Sequence, residues 1–317
     1  MLSRTADHLF WIARYMERAE TAARLLDVGA RISLLPSAGA GFRSEWDSIL
    51  QASGTAEGFA RKYDDPVQRN IESYLFFDRD NPSSIASCIT AARENGRIVR
   101  TALTSQVWDA LNTAFQELRG LERLPRSQLE MSRLTDWTMR HTAMVRGAID
   151  ATQLRNDGYD FLNLGYLLER ADSTARLMDV KYYVLLPQVD YVGTGLDTYQ
   201  WSTLLRAMSA HRAFHWAYGG ELTAAKIVHF LVLNRQCPRA LLTAIAGVSD
   251  HLGRLAVFYG SANATQTRAQ AMVDELQALS IDAVFDEGLH NFLTRFIADV
   301  ADLGGLIHEC YLSGDVR

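Results

Sequence analysis

The sequence predicts an all-α protein, and three observations carry that expectation. The six prolines, at positions 36, 66, 82, 125, 187 and 238, are far apart, and helical periodicity fills the stretches between them. Ala, Leu and Arg are the commonest residues, all among those that lose least on entering a helix. No segment alternates apolar and polar residues between turn signals, so no sheet is expected. About ten to twelve helices follow, broken near 36–43, 63–66, 81–82, 123–127, 154–159, 187–197, 219–221, 236–238, 260–264 and 280–286. With 317 residues the chain allows one large domain or two of about 150 residues.

The first helix carries Ile12, Tyr15, Met16, Ala19, Ala22, Ala23 and Leu26 on one face at 100° per residue. Around residue 170 a second helix shows the same stripe in Leu164, Leu167, Leu168, Ala171, Ala175 and Met178. These two helices align at an offset of 152: Glu17, Arg18, Ala19, Ala23, Arg24, Leu25, Asp27 and Val28 are repeated as Glu169, Arg170, Ala171, Ala175, Arg176, Leu177, Asp179 and Val180. Chemistry is kept at Glu20/Asp172, Thr21/Ser173 and Leu26/Met178. Further on, Trp46, Leu50, Ala52, Phe59 and Tyr63 are answered by Trp201, Leu205, Ala207, Phe214 and Tyr218. Phe77 to Pro82 is answered by Leu233 to Pro238. A slowly growing offset with landmarks in one order is what tandem duplication with small insertions produces. Two copies of about 155 residues, 1–155 and 156–317, are therefore expected to pack as one compact body.

The duplicated helices carry the candidate chemistry. Glu17, Glu20, Arg24 and Asp27 form one stripe, and Glu169, Asp172, Arg176 and Asp179 repeat it. Glu20 and Arg24 stand at i,i+4, worth about 0.2–0.5 kcal/mol if exposed. Apolar residues flank these charges and Arg18 or Arg170 on both sides, as in a helix at the centre of a bundle, where charges must be paired. One reading is a structural ion-pair network in which each helix supplies partners to the other. The other is a polar pocket, with Glu17 or Glu169 as acid or base and the arginines as an anion clamp.

A di-metal bundle would want Glu-x-x-His on two helices. Here the i+3 position is acidic and an Arg follows each Glu, so no metal is expected. His211 and His215 form the one i,i+4 histidine pair but lack the acidic residue of a zinc-protease motif; a surface or capping role is expected. The junctions at Asp78-Arg79-x-Asn81-Pro82 and Asn234-Arg235-x-Cys237-Pro238 read as helix–turn–helix connections, with Asn81 as N-cap and proline opening the next helix. An anion site at free amides there, helped by Arg79 or Arg235, is the functional alternative. Trp11, Trp46, Trp137 and Trp201 read as packing residues.

Several classes are set aside. A net charge of −5 argues against a strongly basic nucleic-acid domain. There is no Walker A loop, dinucleotide glycine fingerprint or Cys-x-x-Cys, so no cofactor is expected. Cys88, Cys237 and Cys310 are odd in number and widely spaced, which suggests a reducing compartment rather than a disulfide scaffold. The start carries no secretory pattern, and the longest apolar run, 227–233, is far short of a bilayer span. A cytoplasmic protein with no membrane association is expected.

The opening Leu2-Ser3-Arg4-Thr5-Ala6-Asp7-x-Leu9-Phe10-Trp11-x-x-Arg14-Tyr15-x-Glu17-Arg18-Ala19-Glu20-x-x-Ala23-Arg24-Leu25, with Asn81-Pro82-Ser83-Ser84-Ile85, resembles the bacterial alpha-E domain family, helical proteins named for a glutamate motif. The resemblance covers essentially the whole chain. It implies a genomic setting beside a circularly permuted ATP-grasp protein and a transglutaminase-like protein, and a role in peptide or amide-bond synthesis or modification. Glu17, Arg18, Glu20 and Arg24 match the family motif; Glu169, Arg170, Asp172 and Arg176 are their internal counterparts. The second copy departs from the motif, with Asn163 in place of Trp11 and Tyr166 in place of Arg14. Two expectations stand side by side: an accessory subunit that binds an ATP-grasp ligase or its peptide-like substrate, and an enzyme of the same pathway. The lack of a recognisable nucleophile, metal set or phosphate loop favours the accessory subunit.

Overall fold

The computed structural model describes residues 1–33, 45–185 and 195–313. Its described residues form fifteen α-helices and no strand, as composition and periodicity require. The first half runs α1 (Ser3–Ile32), α2 (Glu45–Ala52), α3 (Ala56–Ala60), α4 (Gln68–Phe76), α5 (Ile85–Ile98), α6 (Ser105–Glu122) and α7 (Met131–Thr152). The second runs α8 (Asp157–Leu185), α9 (Gly195–Ala207), α10 (His211–Tyr218), α11 (Ala224–Val232), α12 (Leu241–Tyr259), α13 (Ala264–Ala278), α14 (Ile281–Glu287) and α15 (Leu289–Ile307). Each half opens on one long helix followed by three shorter ones; the first half then closes on longer helices, the second on longer helices interrupted by the short α14. A single turn of π-helix, His308–Leu312, ends the described chain.

α1 and α8 form the most extensive helix pair and the centre of the molecule. Around α1 stand α5 and α7; around α8 stand α12 and α15. Central placement explains why α1 is buried on nearly all sides, Glu17, Glu20 and Arg24 included, and not only along its apolar stripe. The two central helices touch at the backbone. A Cβ added to Gly165 of α8 would lie 2.1 Å from the carbonyl oxygen of Phe10 in α1, so only glycine fits there. Trp46, Trp137 and Trp201 are core residues, and Trp11 is half-buried against the same core.

Several boundaries differ from the sequence expectation. The helix after the first junction starts at Ile85, not at Pro82: Ser84 is its N-cap, its Oγ accepting from the Ser87 N–H at 3.1 Å. Asn81 instead stabilises the preceding turn, accepting from the Ser83 N–H at 3.0 Å and donating to the Tyr74 carbonyl at 3.1 Å. Correspondingly, α12 starts at Leu241, three residues after Pro238. The break expected near 280–286 is a short helix, α14, capped by Ser280 through the Ala283 N–H at 3.1 Å. Breaks at 99–104 and 208–210 lack proline; Thr104 opens α6 as N-cap. The expected break near 36–43, and all but the last three residues of that near 187–197, lie outside the described residues.

Candidate functional site

The two similar Glu-Arg segments meet at the α1–α8 contact, and they pair crosswise. Arg18 of α1 grips Glu169 of α8 with two bonds, Nε to Oε1 at 2.5 Å and Nη2 to Oε2 at 3.0 Å. Arg170 of α8 grips Glu17 of α1 in the same two-pronged way, at 2.9 and 3.0 Å. Bidentate guanidinium–carboxylate pairing is the strongest common form of side-chain ion pair.

Each glutamate has a second arginine, and here the halves differ. Glu169 receives Arg14 of α1, whose Nε donates at 2.7 Å. Where a twofold arrangement would put an arginine opposite Glu17, α8 has Tyr166, and Arg239 enters instead from the junction before α12, with Nη1 3.4 Å from Glu17 Oε1. Tyr166 lies between two guanidiniums, 3.8 Å from Arg146 and 4.2 Å from Arg170 at its ring centre. On the opposite side Trp11 stands against Arg14 and Arg18, at 5.1 and 6.0 Å.

Glu20 extends the network. It accepts from Arg24 Nε at 2.9 Å and Nη2 at 2.6 Å, from Arg239, and from the Thr142 hydroxyl at 3.3 Å. Arg24 also reaches across to the Ala207 carbonyl at the end of α9 and to Ser209 Oγ at 3.2 Å. Its counterpart pair, Asp172 with Arg176, closes on itself along α8 at 2.7 and 3.1 Å.

The other candidates stand elsewhere. Asp27 pairs with Arg31 at 2.9 Å on the outer end of α1, and Asp179 pairs with His290 at 2.7 Å. Arg79 is bound to Glu122, the Ala86 carbonyl and Thr90, so its guanidinium is spent on fixing α5 and α6 rather than held out for an anion. Arg235 is exposed and apart from the network. His211 and His215 stack edge to face, 4.7 Å apart. Arg14 was read only as part of the opening motif, and Arg239 was not read as a site residue. The Pro238-Arg239 step, where the similar earlier junction has Pro82-Ser83, was the available signal for Arg239.

Six guanidiniums (Arg14, Arg18, Arg24, Arg170, Arg176, Arg239) thus face four carboxylates (Glu17, Glu20, Glu169, Asp172), an excess of two positive charges. Crowding shows at Arg239: burial, with Arg24 and Arg170 close by, lowers its pKa to about 10. The carboxylates move the other way. Burial pushes Glu20 up, but Arg239, Arg24 and Arg170 overcome it and hold the group at about 2. Glu169, despite its burial, is held at about 2 by Arg14 and Arg18.

Since both glutamates titrate lower in the folded chain than unfolded, their stabilisation is present above the ordinary value of 4.5 and is lost as pH falls towards 2. The melting temperature should therefore drop steeply across that window. A flat profile through it would contradict the pairing.

Among the described residues one small cavity opens at the network. A cavity bounded by Met16, Glu17, Glu20, Thr142, Arg146 and Tyr166 has room for about one water molecule. A larger groove, about 740 Å³, lies away from the motif, between the α7–α8 turn, α12 and α13. At its edge Asp160 accepts from His251 Nδ1 at 2.7 Å and Arg254 Nε at 2.8 Å. Among the described residues no group of three or more His, Cys, Asp or Glu is placed to hold a metal. One described helix, α12, is long and apolar enough to cross a membrane, and 44% of its most apolar stretch is buried in the fold. Cys88 and Cys237 are buried and Cys310 is exposed, all as free thiols.

The chain matches a family model, Alpha-E, over residues 1–312; its description reads "a predicted alpha-helical domain with a conserved ER motif". Uncharacterised proteins of Mycobacterium bovis and of two strains of Mycobacterium tuberculosis are each 23% identical over 333 aligned residues, covering 95% of this chain. The chain spans 36% of the length of these relatives. No solved structure matches.

Proposed function

Because the chain belongs to the Alpha-E family, we propose that it is an accessory or substrate-binding subunit of an ATP-grasp-dependent system for peptide or amide-bond synthesis or modification. In this reading its partners are a circularly permuted ATP-grasp protein and a transglutaminase-like protein, and it works in the cytoplasm. The Glu-Arg motif serves as an internal lock, and the outer helices carry recognition. The halves, 1–155 and 156–317, descend from one duplicated unit, a view supported by their parallel helix order and the crosswise pairing of their first helices.

One observation carries the non-catalytic reading: both motif glutamates are buried and held bidentately, and the cavity beside Glu17 is too small for a peptide. A general base needs a free lone pair within reach of substrate. Here each carboxylate is committed to two arginines. The enzyme reading would have to use Glu17 or Glu169 after breaking those bonds. Co-expression with the neighbouring ATP-grasp protein and gel filtration tests the proposal. A complex stable at micromolar concentration is the expected outcome. Two separate peaks, or turnover of a small peptide by this chain alone, would overturn it.

A further inference from the structure

α12 is the most apolar of the long helices, yet more than half of its most apolar stretch is not buried. Its inner face, with Leu241, Ile245, Val248, Leu252 and Leu255, packs into the core. At 100° per residue the opposite face presents Asp250, Gly253, Arg254, Val257 and Phe258. Val257 is 84% exposed and Phe258 60% exposed. A Cβ at Gly253 would meet nothing within 4 Å, so this face is open at its middle. It forms one wall of the 740 Å³ groove. Large apolar side chains held outward on an ordered helix mark an interaction surface.

We propose that this face of α12 joins two copies of the chain in a twofold-symmetric homodimer. The charge pattern selects the occupant. Asp250 has no ion pair among the described residues, and Arg254 keeps about half its side chain exposed while bonding Asp160. An acid and a base four residues apart on one face become complementary to themselves when a second α12 lies antiparallel across it. A twofold axis near position 252 sets each Asp250 opposite Arg254 of the second copy. That operation also carries Val257 and Phe258 towards the opening turns of the second copy's α12. Self-complementarity of this kind is what an isologous contact requires. A lipid surface would instead have to desolvate Asp250 and Arg254 at the centre of the face.

Sedimentation velocity of the full chain tests the dimer, whatever the outcome for the ATP-grasp partnership. The expected mass is twice 35.5 kDa. Val257→Asp should shift the chain to monomer. Asp250→Lys and Arg254→Glu should each weaken the dimer at least ~10-fold, by opposing like charges twice across the axis. Mixing those two variants should restore a mixed dimer, because the reversed charges then match. Arg254→Glu also gives up the bond to Asp160, so its melting temperature is checked, while Asp250→Lys and Val257→Asp stand without it. A monomer at all concentrations, including one that floats with lipid vesicles, would overturn the proposal. So would a dimer indifferent to Val257→Asp and Asp250→Lys.

Discussion

Replacing Glu17 by glutamine should cost about 3–5 kcal/mol of stability, the usual loss when one partner of a buried ion pair is removed. Glu17 is 1% exposed, and the change leaves Arg170 and Arg239 buried with one fewer counter-charge in a network already two positive charges in excess. Glutamine fills the same space, so the loss is electrostatic and not a matter of packing. Glu169→Gln should behave alike, since it strands Arg14 and Arg18. Removing Arg170 together with Glu17 should recover part of the loss, because the two effects are not additive. The exposed pair Asp27–Arg31 is the control: Arg31→Ala should change stability by no more than ~1 kcal/mol. Denaturant unfolding measures all of these. A loss below ~1 kcal/mol for Glu17→Gln would mean that the lock contributes no more than a surface pair.

The second large effect is expected at Gly165. Alanine there would place its methyl 2.1 Å from the Phe10 carbonyl oxygen and 3.0 Å from the carbonyl carbon. Backbone cannot swing aside as a flexible side chain can, so α1 and α8 must separate or shift. Overpacking of this kind costs about 1–3 kcal/mol, and the shift would also stretch the bidentate pairs one turn further along. These losses outweigh the gain of ~1 kcal/mol that alanine brings over glycine inside a helix. Gly147 in α7 has open space around it, so Gly147→Ala should show that gain alone. Parallel melts of the two variants should therefore move in opposite directions. If both stabilise, the close crossing of α1 and α8 is wrong.

Much of this arrangement was legible in the sequence. Helical periodicity and sparse prolines gave the fold class. Apolar residues on both sides of the Glu-Arg stripes placed those helices at the centre, where the structure has them. The i,i+4 partners Glu20–Arg24 and Asp172–Arg176 could also be read directly, because helix geometry alone sets them. An exchange of partners between the two helices was one of the two readings, but which arginine meets which glutamate was not legible, since that depends on which faces of two helices 150 residues apart come together. Arg239 was harder still: it reaches Glu17 from a junction where chain direction, and not periodicity, aims the side chain. At Asn81 the expected cap was chemically sound but three residues early, because Ser84 competes for the same role nearer the helix. Helices as short as α3 and α14 have too few turns to show a period.

The crosswise wiring has a consequence for how the chain can be divided. Among the described residues, Arg14 and Arg18 have their counter-charge beyond the turn at 153–156, and Glu17 has its arginines there too. Neither half is electrically complete alone. In this respect the molecule is a pair of subunits on one backbone, each holding the other's missing ions, and its two halves must stand or fall as a unit.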